Sequence, residues 1–134
     1  MVDIVSSGTL WELVKHAGRW LTNLRRAKES RKRESVFALR GVIIAAQRTS
    51  VYLRQLRDTG QRSYPDEQEL SILWTELGFR LEDLGIRGLA ERCQIKGKHW
   101  ANPESMDPAL LEKADVGLDR MEQLARKLLA EVNG

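Results

Sequence analysis

Cysteine, proline, histidine and aromatic residues are all scarce in this 134-residue chain, and each shortage removes a class of protein. The single Cys93 permits no intramolecular disulfide, so the chain is not a stapled secreted scaffold and suits a reducing compartment. Only His16 and His99 accompany it, with no paired C-x2-C or H-x3-H spacing, so no metal is expected. Glu12 precedes His16 by four residues, not by the three of the Glu-x-x-His motif that holds dimetal centres in helical bundles. There is no uninterrupted apolar run of about 18 residues, so a membrane span is not expected. The opening stretch, residues 1–8, lacks a basic segment followed by an apolar one, and the cytoplasm is the expected location.

Catalytic sets are missing in the same way. Cys93 shares the apolar side of a short helical pattern with Leu89 and Ala90, which reads as a small buried hydrophobe and not as a thiolate in an electropositive niche. Asp66, Glu67, Glu69, Asp115, Asp119 and Glu122 fall at helix starts or on outward positions, as caps and surface charge. In Lys96-Gly97-Lys98-His99-Trp100 a lone glycine stands between two lysines, short of a phosphate-cradling loop; Lys96 and Gly97 read as a helix end and Trp100 as an anchor for the following loop. No enzyme and no cofactor are expected.

What is present is helical spacing. The length suits one domain covering residues 1–134, which should bury roughly two-thirds of its unfolded surface. A first segment, about residues 9–28, repeats Leu10, Leu13/Val14, Ala17, Trp20/Leu21 and Leu24. A second, about 35–58, carries Leu39, Val42/Ile43, Ala46, Ser50 and Leu53, widened by Phe37, Ala45, Tyr52 and Leu56. A third begins with Asp66 and Glu69 as a capping box and runs through Leu70, Leu73/Trp74, Leu77, Leu81 and Leu84. A short helix follows near 88–96. The last starts with Asp107 as cap and Pro108 in the first turn, continuing through Leu111, Ala114, Leu118, Met121, Ala125, Leu128 and Val132. Glycines 60, 85, 97 and 134 stand just past these patterns. No period-two alternation competes. Such stripes must be buried against one another, and their 3–4 spacing predicts an all-α fold, an antiparallel four-helix bundle with a short additional helix before the last long one.

The first connection is the least marked. No glycine or proline lies between Gly18 and Gly41, so residues 9–58 fit one continuous helix or two; the lapse of the apolar stripe from Lys28 to Ser35 favours a hinge at 29–35. Ala38, Gly41 and Ala45 form a small-residue strip that lets another backbone approach closely, inside the bundle or at a subunit interface.

Charge divides the chain. Residues 1–62 carry 13 Lys/Arg against 5 Asp/Glu, whereas residues 63–134 carry 9 against 14. The positive half peaks at Arg25, Arg26, Lys28, Arg31, Lys32 and Arg33. Packing the halves together cancels much of this imbalance and leaves that basic tip. The expectation is a non-catalytic bundle acting as an accessory subunit through homo- or hetero-oligomerisation. The alternative is RNA or DNA backbone binding by the six cations, whose affinity would come largely from counterion release. A membrane is not among the expected partners: Trp11 and Trp20, nine residues apart, cannot share one lipid-facing line.

Overall fold

The computed structural model describes residues 28–105 and 108–133, and for residues 105, 108–116 and 133 the backbone alone. The described elements are α1 (Glu29–Thr59), α2 (Tyr64–Asp83), α3 (Arg87–Ala101), a 3-10 turn (Pro103–Ser105) and α4 (Pro108–Asn133). The fold is an all-α bundle, with no strand among the described residues. The most extensive packing joins α2 to α3; α1 packs on α4 and, less extensively, on α2. The predicted helix at 9–28 lies outside the described residues.

α1 starts six residues before the predicted position. Lys28 is extended (φ −62°, ψ 153°), so no helix runs unbroken through residues 9–58; the predicted hinge at 29–35 is helix. The apolar stripe lapses there because polar groups do the packing. Ser35 is fully buried and its hydroxyl donates to the Arg31 carbonyl (2.9 Å), while the Arg31 guanidinium donates to the Leu84 carbonyl at the end of α2 (3.1 Å). Beyond this turn Ala38, Leu39, Val42, Ile43, Ala45 and Ala46 enter the core. α1 is also long and apolar enough to cross a membrane by length and composition, although Arg40 and Arg48 interrupt its apolar centre. Here the side that carries Ala38, Leu39, Val42 and Ala46 is buried in the packing against α2 and α4.

The start of α2 also differs from the expected capping box. Ser63 is the cap, its hydroxyl accepting from the Asp66 amide (3.3 Å), and Pro65 lies in the first turn, where a missing N–H costs nothing. Glu69 instead turns sideways to Arg48 (3.0 Å). Gly60 (φ 68°) and Gly85 (φ 83°) close α1 and α2 in the left-handed region, as predicted.

Gly97 does not end a helix. α3 runs past it to Ala101, and glycine is required because α2 crosses there. A Cβ at Gly97 would overlap Thr75, and one at Gly78 would lie 2.5 Å from Gln94 Cγ and 3.1 Å from its amide nitrogen. The Ser71 hydroxyl donates to the Gly97 carbonyl (2.8 Å), fixing the crossing. At the centre Trp74 is wholly buried; its indole N–H donates to Thr49 Oγ1 (2.9 Å), and that hydroxyl donates to the Ala45 carbonyl (2.7 Å). Leu118, Met121, Leu124, Ala125 and Leu128 of α4 complete the core.

Candidate interaction surface

Three features bear on function: the basic tip, a charged knot at the α1–α2 turn, and two rows of exposed apolar side chains, one on α1 and one on α2.

Of the six tip cations, Arg25 and Arg26 lie outside the described residues. The other four do not form one open patch. Arg31 is bonded to the α2 terminus, where it satisfies a carbonyl left over by the helix and opposes the negative end of its dipole. Lys32 pairs with Glu29 one turn back (3.7 Å). Lys28 and Arg33 are exposed.

The small-residue strip faces inward. Ala38 and Ala45 are fully buried, and a Cβ at Gly41 would meet Leu77 Cδ2 at 2.6 Å, so these three positions serve α1's packing within the bundle.

The charged knot is absent from the sequence-level reading. Glu67, 3% exposed, accepts from both Arg62 Nε (3.0 Å) and Arg62 Nη2 (2.8 Å), and also from the Tyr52 hydroxyl (2.5 Å). The Ser63 amide donates to the same tyrosine oxygen (2.9 Å), and Arg62 reaches Glu104 with its remaining arm (3.0 Å). The Arg62 bonds hold the Glu67 carboxyl below its ordinary range, outweighing its burial. Burial, reinforced by Glu67, pushes the Tyr52 phenol up. Both carboxylate oxygens are taken, so the group fastens the 60–64 loop to α1 and the 3-10 turn instead of waiting for a proton.

Tyr52 meets Trp100 edge-on at 5.5 Å, and His99 lies 4.6 Å from the Trp100 ring. Burial, then Lys96, lowers the His99 pKa, which keeps the imidazole neutral. Cys93 is fully buried, and that burial pushes its thiol far up, so it carries no thiolate. Among the described residues, no three His, Cys, Asp or Glu side chains gather as a metal site.

The exposed apolar rows are the largest departure from expectation. Phe37, placed in the core stripe by its spacing, is 66% exposed; Ile44 is 54% and Val51 55% exposed, so one face of α1 shows an apolar side chain every seventh residue. Ile72 and Phe79, again seven apart, are 50% and 58% exposed on α2. The α1 row borders a groove of about 410 Å³ lined by Ile44, Gln47, Arg48 and Val51 with Asp66, Glu69 and Leu70 of α2. The groove follows two helices running in opposite directions, since Phe37 lies under Arg80 (5.2 Å), Gly41 by Leu77, Arg48 by Glu69 and Tyr52 by Glu67. The signal available in sequence was the sevenfold spacing, hidden because helical residues on both sides of it are also apolar.

Comparison with protein-family models, curated proteins and solved structures finds no match to this chain.

Proposed function

We propose that this is a non-catalytic helical-bundle protein that acts by assembly, as an accessory subunit joined to another copy of itself or to a larger protein in the cytoplasm. The observation that supports the reading is a pair of apolar rows: five large apolar side chains, each at least half exposed, at heptad spacing on two adjacent helices, three on α1 and two on α2. Exposed rows of this kind are the usual mark of a surface that is covered in use. The polar groups of the charged knot are committed to one another, which leaves these rows as the feature with unspent binding capacity. Light scattering on the full chain at low and high salt tests self-assembly. Particles larger than a monomer, reduced to monomers by Ile72→Ser with Phe79→Ser, are expected; a monomer under all conditions would remove self-assembly.

Backbone binding to RNA or DNA by the tip is the second reading, with less to support it because Arg31 and Lys32 already have partners. On that reading, replacing Arg25, Arg26, Lys28, Arg31, Lys32 and Arg33 with Ser abolishes a salt-sensitive retardation of generic nucleic acid.

A further inference from the structure

We propose that the exposed row of α1 docks antiparallel on the exposed row of α2 in a second copy of this chain, so that copies join head to tail. The inference rests on the assembly reading above and deepens it by naming the partner and both contact faces.

Spacing is the first support. Arg80 of the same chain lies over the Phe37 ring (5.2 Å), which leaves Ile44 and Val51 as the open part of the α1 row. Those two are seven residues apart, as are Ile72 and Phe79. Each pair therefore spans about 10 Å along its helix, and the two can be set side chain against side chain.

Charge selects the partner. Between Glu34 and Asp58, α1 has no acidic residue, and Arg40, Arg48 and Arg54 stand exposed around the open pair. Around Ile72 and Phe79 the exposed charges are Glu69, Glu76, Glu82 and Asp83, with Arg80 the cation among them. Laying α1 on a second α1 would set arginine against arginine, and α2 on α2 would set carboxylate against carboxylate. Unlike faces match, and one chain supplies both.

Direction follows from the order of the residues. Arg40 stands four residues before Ile44, and Arg54 three after Val51. On α2, Glu69 stands three before Ile72, and Asp83 four after Phe79. Residues three or four apart share a helix face, so the two series are mirror images. Run antiparallel, Ile44 meets Phe79 and Val51 meets Ile72, while Arg40 meets Asp83 and Arg54 meets Glu69. Gln47 then falls opposite Glu76. A parallel arrangement would set Arg40 against Gln68 instead. These charges are available: among the described residues Arg40, Arg54, Glu76 and Asp83 hold no hydrogen bond or ion pair, and Glu69 gives only one oxygen to Arg48. A contact between unlike faces leaves one of each uncovered at the ends, so it repeats as a filament or closes as a ring.

Sedimentation of the full chain at low salt tests the contact. Ile44→Glu spoils the α1 face and Phe79→Glu the α2 face, and each alone should weaken association by about tenfold or more. Mixed in equal amounts, the two variants should form a 1:1 dimer that grows no further, because each still carries the face that the other lacks. A second measurement avoids charged substitutions: on mild oxidation, with buried Cys93 left in place, chains carrying Ile44→Cys mixed with chains carrying Phe79→Cys should give the mixed disulfide. Its yield should exceed that of Ile44→Cys with Ile72→Cys by about tenfold, since only the first pair meets the distance a disulfide needs. Full assembly by either glutamate variant alone, a mixture that stays monomeric, or equal disulfide yields would overturn the proposal, while assembly of the unaltered chain would leave the reading above standing. A monomeric unaltered chain would remove this contact and self-assembly together, leaving a larger protein as the partner.

Discussion

At the scale of single residues, polar groups decide what the apolar pattern cannot. Ser35 and Thr49 occupy fully buried positions that hydropathy assigns to the surface, and both are accommodated because their hydroxyls return to the carbonyl one turn earlier. Thr49 also accepts the only hydrogen bond shown for the Trp74 indole. Thr49→Val should therefore cost about 1–3 kcal/mol, the penalty of a buried donor left unpaired, in urea unfolding. Glu67 is the other such residue. Its folded pKa is lowered, so the unfolded chain binds more protons at acid pH; the stability it gives is full above the ordinary carboxylate value of 4.5 and drains as pH falls through the lower folded value. Glu67→Gln should lose about 1–3 kcal/mol at pH 7, because the Arg62 pair is broken while the Tyr52 bond can survive. The difference between the two proteins should narrow from pH 5 to pH 3 in unfolding curves measured across that range. None of this knot was legible beforehand: Arg62 and Glu104 stand 42 positions apart and meet only once the 3-10 turn is in place.

At the scale of helices, most of the architecture was legible. The 3–4 spacing that placed Leu39, Val42, Trp74, Leu81, Leu118 and Leu128 in a core is the spacing that is buried. Ends were read less well, for physical reasons. Asp66 and Glu69 have the composition of a capping box, yet Ser63 caps and Glu69 serves Arg48. Gly97 has the look of a terminator, yet it is a point where the backbone of α2 lies against α3 with no room for a side chain. The inner glycines should accordingly behave differently on replacement by alanine. Gly97→Ala and Gly78→Ala press a methyl group on backbone atoms of the neighbouring helix, and each should lower stability by about 1–3 kcal/mol despite alanine's better helix propensity. Gly41→Ala meets only the mobile end of Leu77, so thermal unfolding should move by far less, in either direction.

At the scale of the whole molecule, the division of charge becomes a matter of neighbours. The basic half supplies α1, and its Arg48 and Arg62 are answered by Glu69, Glu67 and Glu104 from the acidic half. The tip read as a single patch is broken up by the same process, since Arg31 is drawn to the end of α2. Phe37 was misplaced because spacing alone cannot tell an inward face from an outward face that is also apolar. The arrangement of helices has one more consequence. α2 and α3 are clasped along their length through Gly78 and Gly97, whereas α4, among the described elements, leans almost wholly on α1. A helix with one main neighbour can open without dismantling the rest. In native-state hydrogen–deuterium exchange, the amides of α4 should therefore give up their protons together, sooner than those of α2 and α3. Uniform protection across all three would mean that the bundle opens only as a unit. On this view α4 is a detachable arm beside the clasped α2–α3 pair, and a partner that grips it would find, among the described helices, the one that is cheapest to rearrange.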